Sequence, residues 1–273
     1  FLFLESFEVR FLRYVFPMMP VMIILGARML FWLWDNARSL SDSLIRSGCS
    51  YGRVVPISVI VLGVFVVTGT AFYSLAFQRI YAEDHPAVAA SQWINETVPR
   101  GTAIVSDNHW DEYIPNLYKY NVWQYPLYEM DTIDKMDELA ARLAVSEYLV
   151  FYSSRPYASA ARDPVRFPLS NNYYQRLFEG DLGYRLELEF TSYPQLAGIS
   201  FRDDALTRAG LPHSIPDYTA QSSKVSLQLG YADDNVVGYD HPRVLLFRNE
   251  GRFNVERIRG QLADLPPDTE ASP

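Results

Sequence analysis

Three groups of residues have the types and spacing to do chemistry. The densest is Asp107, His109, Asp111 and Glu112, set around Trp110. Carboxylates and an imidazole at alternating positions can hold a divalent cation. The same loop, with an indole at its centre, can form a platform for a sugar ring whose hydroxyls bond to the acids. It also fits a polar turn after a strand, fixed by local Asp and Asn bonds. The second group is Asp240-His241-Pro242. An Asp-His pair can run general acid-base chemistry. The order equally suits a structural turn, in which Asp caps and Pro stiffens the approach to a strand, and that role is the one expected here. The third group is Arg10 and Arg13, just ahead of an apolar stretch. Guanidinium groups make forked, charge-assisted bonds to phosphate oxygens, and at a membrane surface such a phosphate can keep its lipid tail in the bilayer. Plain interfacial anchoring uses the same side chains. The sequence holds no nucleophile elbow, phosphate loop, zinc-protease helix or EF-hand loop, which speaks against an independent hydrolase or nucleotide enzyme.

The elements that must position these groups divide sharply by charge. Up to Phe77 there are six basic residues, all Arg, against four acidic ones; the rest of the chain carries 18 basic and 28 acidic residues. A strongly acidic domain without a basic face excludes nucleic acid as a partner. The single cysteine, Cys49, excludes an internal disulfide framework and a cysteine-rich metal site. Residues 54–78 contain no charge, and at this length they predict a membrane-crossing helix; Pro56 and Gly63 are tolerated in such a setting. Residues 14–34 predict a first span, with Arg28 reaching toward the nearer interface and Phe31, Trp32 and Trp34 forming an interfacial belt. Residues 35–53 then form a loop. Its Arg38, Arg46 and Arg53 place it in the cytoplasm and send the following domain to the outer side. Cys49 falls on the reducing side in this arrangement. The chain opens on Phe1 within apolar sequence, and a longer protein is expected to precede it.

Residues 79–262 predict an extracytoplasmic α/β or α+β domain following the transmembrane helices. A helix is expected over 86–95, a strand over 102–106, and an irregular aromatic segment over 107–130. Asp131 or Thr132 can cap the next helix, whose Ile133, Met136, Leu139, Ala140 and Leu143 recur at helical spacing. It leads to the continuous apolar strand 148–152, so strands 102–106 and 148–152 should pair in parallel, buried on both faces. A helix over 170–179 ends at Gly180, a suitable left-handed stop. Residues 184–190 alternate strictly and predict a strand with one wet face. An extended loop over 202–223 and a last strand over 243–247 follow. His85 and His213 have no partner nearby in sequence and are expected at the surface. The tail 263–273 is acidic and Pro-containing, and disorder is expected there.

Several short motifs together resemble the polytopic GT-C membrane glycosyltransferases, in the bacterial branch of protein O-mannosyltransferases and aminoarabinose transferases. Arg13, Tyr14, Pro17 and Pro20 match that family's Arg-Tyr followed by two spaced prolines at a late outer-loop junction. Trp93, Ile94, Pro99 and Gly101 match a Trp-Ile segment found after its final span. Trp110 and Asp111 match a following Trp-Asp pair, and Tyr239, Asp240, His241 and Pro242 a late turn before a hydrophobic strand. The resemblance implies an enzyme of the plasma membrane with several spans. It would transfer a sugar from a polyprenyl-phosphate donor to a protein, lipid or glycan acceptor on the outer face. It further implies that Arg10, Arg13 and Tyr14 lie near the donor phosphate and that Trp110, Asp111 and His109 face acceptor or sugar. The family's catalytic acid belongs to a first exported loop, so no catalytic residue is expected in this stretch. A divalent cation remains an open possibility. The rival expectation is a membrane-anchored carbohydrate-binding or sensor module without catalysis.

Overall fold

The computed structural model describes residues 17–48, 52, 54–106, 117–126, 129–160, 164–203, 223–230 and 237–264. The chain divides into two units, Phe1–Phe77 and Gln78–Pro273.

In the first unit, helix α1 (Met19–Arg46) begins with Pro in its first turn, where the missing N–H is not needed. It runs past Trp34 through Arg46, so the expected loop is helical over most of its length. Its polar residues ride within the helix by bonding back to carbonyls one turn earlier. Asn36 Nδ2 donates to Trp32 O at 2.7 Å, Ser43 Oγ to Ser39 O at 3.1 Å, and Arg46 Nε to Asp42 O at 3.1 Å. Gly52 lies close against the last turns of α1. A Cβ on Gly52 would stand 2.9 Å from Ile45 Cγ1 and 3.0 Å from the Ser41 carbonyl oxygen. Helix α2 (Val54–Gln78) has 25 residues and matches the expected span. Its hydroxyls are satisfied internally: Thr68 Oγ1 donates to Val64 O at 2.6 Å and Thr70 Oγ1 to Val66 O at 2.7 Å. Among the described residues, the helical run opening at Val54 is the one long and apolar enough to cross a membrane. Helix α1 carries Arg28, Asp35 and Arg38 and does not meet that test. The expected first span begins at Tyr14, outside the described residues.

The second unit opens with a 3-10 turn (Arg79–Ala82) and helix α3 (Pro86–Thr97). The main sheet contains β1 (Ala103–Ser106), β2 (Asn121–Gln124), β3 (Tyr148–Phe151), β4 (Tyr184–Phe190) and β8 (Val244–Asn249), in the spatial order β2-β1-β3-β8-β4. Strand β1 pairs in parallel with both β2 and β3, as the strand-helix-strand pattern predicts; β8 runs antiparallel between β3 and β4. Strand β2 lies inside the segment expected to be irregular. Its Val122 and Trp123 are short signals, and pairing with β1 decides their conformation.

Helices α4 (Ile133–Val145), α6 (Pro168–Glu179) and α7 (Val255–Ala263) cover one face of this sheet. Met136, Leu139, Leu143, Tyr173, Tyr174, Leu177, Ile258 and Leu262 meet Val105, Leu149, Phe151 and Phe247 there. On the other face Ala90 and Ile94 of α3 meet Ile104, Val150, Leu246 and Phe190. The unit is therefore a three-layer α/β sandwich. Short helix α5 (Arg155–Ala160) links β3 to α6, which ends at Gly180 with φ +85°, the expected left-handed stop. Helix α7 was not foreseen in the sequence; Asn254 caps it by accepting from Arg257 N at 2.8 Å.

The wet face assigned to 184–190 is confined to the start of the strand, where Arg185 is exposed, and does not reach Glu189. A bulge between Leu186 and Leu188 shifts the register against β8, so Tyr184 and Leu186 join one core and Leu188 and Phe190 the other. Strands β5 (Gln195–Leu196), β6 (Ile199–Asp203) and β7 (Val225–Gly230), which were not foreseen in the sequence, form a second sheet in which β6 and β7 pair in parallel; β6 runs two residues into the expected loop. Residues 204–222 and 265–273, which hold most of the expected loop and the expected disordered tail, lie outside the described residues.

Candidate functional site

Because β8 runs opposite to β3, one edge of the main sheet gathers the carboxyl ends of β1, β2, β3 and β4 with the amino end of β8. In sheets with parallel strands this is the edge where ligands collect. It is polar and buried: Ser106, Ser154, Thr191, Ser192 and His241 all lie inside. At its centre Glu189 forms an ion pair with Arg243, and the carboxylate is only 2% exposed. Burial alone would weaken the Arg243 cation. Glu189, aided by Tyr193 and Tyr157, more than offsets this and holds the guanidinium firmly protonated. Sequence reasoning missed this pair because Glu189 sits at a position that strict alternation assigns to solvent.

The Asp240-His241-Pro242 turn lies beside this edge, where it fastens the approach to β8. Asp240 Oδ1 accepts from Tyr81 Oη at 2.7 Å, and that bond to a carboxylate raises the Tyr81 phenol above its ordinary value. His241 is buried, and its backbone N–H donates to Val237 O at 3.0 Å. With its carboxylate engaged by Tyr81, Asp240 orients the turn. His85 was expected at the surface but is half-buried and tied in on both sides. Its Nδ1 accepts from Ala87 N at 3.2 Å, which caps α3, and its Nε2 lies 3.2 Å from the Tyr239 carbonyl oxygen. This arrangement assigns the ring proton to Nε2. Arg155 stacks 5.0 Å over the Tyr239 ring. The late turn and the helix carrying Trp93 and Ile94 thus meet through His85.

Strand β1 ends at Ser106 on this polar edge; His109, Trp110 and Asp111 lie outside the described residues. So do Arg10, Arg13 and Tyr14. Among the described residues, no group of three or more His, Cys, Asp or Glu side chains is placed to hold a metal ion. No protein-family model, no curated protein and no solved structure matches the chain.

Proposed function

We propose that this chain is the carboxyl-terminal part of an integral-membrane glycosyltransferase. It would serve transfer of a sugar from a polyprenyl-phosphate donor to an acceptor on the outer face of the plasma membrane. The observation that carries the proposal is the direct passage from a charge-free 25-residue helix, through a single 3-10 turn, into an α/β domain. That passage occurs where the sequence resembles the GT-C enzymes. In this reading residues 14–34 and α2 are both spans, and Arg10, Arg13 and Tyr14 stabilise the departing lipid phosphate. Trp110, Asp111 and His109, which follow β1 in sequence, would contact the acceptor or sugar. The general base is supplied from elsewhere in the whole enzyme.

A second reading, a membrane-anchored carbohydrate-binding or sensor module, is favoured by the engagement of Asp240 with Tyr81, which gives that carboxylate a structural partner. Turnover separates the two. Arg13→Ala in the whole enzyme should depress transfer from a lipid-linked sugar with expression unchanged; undiminished transfer removes Arg13 from the mechanism. A gene that encodes no further spans ahead of Phe1 favours the binding module.

A further inference from the structure

The small sheet β5-β6-β7 leaves apolar side chains in solvent. Residues paired across neighbouring strands share a face, so Leu196, Ile199 and Val225 stand on one side together with Phe201 and Leu227. The opposite side carries Gln195, Ser200, Arg202, Ser226 and Gln228. On β6 this polar side turns inward: Ser200 is 3% exposed, and the Arg202 guanidinium stacks 5.1 Å over the Tyr193 ring. Strand β7 is exposed on both sides, and it carries the apolar side into solvent, with Val225 48% and Leu227 44% exposed, and Leu229 at the neighbouring bulge 56%. A half-covered sheet in water places its apolar face inward.

The position of this sheet indicates what the face meets. Strand β5 packs against the 3-10 turn Arg79–Ala82, which follows α2 without an intervening residue. Strand β7 lies two strands away, about 10 Å at the usual spacing. On that same turn Tyr81 is 64% exposed, a residue type favoured at the membrane–water boundary.

We infer that the outer face of β5-β6-β7 docks on the lipid bilayer surface, with Val225, Leu227 and Leu229 entering the headgroup–acyl boundary. The inference rests on α2 being a membrane span and goes beyond any enzymatic role. It is tested on the full chain with Cys49→Ser, reconstituted in phosphatidylethanolamine–phosphatidylglycerol vesicles. A fluorophore is attached at Leu227→Cys or, for the opposite face, Ser226→Cys; lipids with a nitroxide near the headgroup act as quenchers. The probe at 227 should shift to the blue and lose emission to the nitroxide, while the probe at 226 stays water-like. Equal quenching at both sites overturns the inference. So does a shielded probe at 227 that lipids do not quench and that responds to the protein-to-lipid ratio, since a second copy would then cover the face. Val225→Cys makes the same test should Leu227→Cys fail to fold. Carbonate extraction of the same vesicles tells two failures apart. A chain that washes off overturns membrane anchorage and the docking with it. A chain that stays bound with an unquenched probe overturns the docking alone.

Discussion

Leu186 and Leu188 lie two residues apart on β4, yet they pack on opposite faces of the sheet: Leu186 against the core under α4, α6 and α7, Leu188 against the core under α3. Glu187 is the extra residue of the bulge between them. Its effect is to reverse the phase of the strand's second half. Glu189 then points to the side of Leu245 and the helices, where Arg243 meets it.

Removing one member of this pair should cost far more than removing both. Glu189→Ala strands a buried guanidinium and is expected to lower stability by about 3–5 kcal/mol. Glu189→Leu combined with Arg243→Met should recover most of that loss. Urea unfolding of the three proteins in detergent micelles provides the comparison. A single variant as stable as the parent would show that the ion pair is not buried in solution.

The main sheet was legible because its signals are local. Tyr148 to Phe151 is apolar throughout and forms a strand covered on both faces; Met136, Leu139 and Leu143 recur at helical spacing and form the buried stripe of α4. What escaped depends on pairing. The bulge at Glu187 has no marker in the strand itself and exists because β8 carries apolar residues toward both layers. Helix α7 mixes charge with Ile258 and Leu262 in a short span, too little periodicity to stand out. Strand β7 alternates plainly, but it is exposed on both sides, so its alternation marks no buried face. For the candidate site, the late turn was legible as a turn, whereas its partners Tyr81 and His85 lie more than 150 residues away in sequence.

Asp131 and Thr132 are neighbours that cap different helices. Thr132 Oγ1 accepts from Lys135 N at 3.3 Å and starts α4, the role the sequence allowed to either residue. Asp131 reaches instead to α6, accepting from Leu169 N at 2.7 Å and from Ser170 N at 3.1 Å. A carboxylate there also complements the positive end of the helix. Each Ala substitution should cost about 1–2 kcal/mol. Hydrogen exchange distinguishes them: Asp131→Ala should speed exchange at Leu169 and Ser170, and Thr132→Ala at Lys135. Acceleration at Lys135 alone in both variants would contradict the cross-helix cap.

The Tyr81–Asp240 bond makes a spectroscopic prediction. The phenol is raised chiefly because its O–H donates to a carboxylate, with burial adding to the effect. Asp240→Asn should return Tyr81 toward ordinary phenol titration, read from the ring-carbon resonance of labelled tyrosine. The substitution should also loosen the approach to β8, seen as faster exchange at Val244. An unchanged Tyr81 titration would show that the bond is absent in solution.

Tyr184 should make stability fall in alkali. Its O–H reaches the carbonyl oxygens of Leu143 at 2.8 Å and Ser146 at 3.0 Å, at the end of α4, and burial raises the phenol well above its ordinary 10.0, against a smaller opposing effect from Asn249. The folded state thus keeps a proton that the unfolded chain releases. The contribution is intact below pH 10 and is lost as pH climbs from there toward the folded-state value. Lys135 acts in the opposite sense. Burial lowers it, against the pull of Asp131 and Glu129, so its contribution grows as pH rises toward 10.5. Tyr184→Phe isolates the phenol from this background. The variant should lose about 1 kcal/mol near neutrality, a modest cost because Asn249 Nδ2 still bonds Ser146 O at 2.9 Å and Leu143 O at 3.3 Å. Above pH 10 its deficit should shrink by about 1.4 kcal/mol per pH unit and then reverse. Urea midpoints of both proteins from neutral to strongly alkaline pH check this; a constant gap would mean that Tyr184 ionises freely in the folded state.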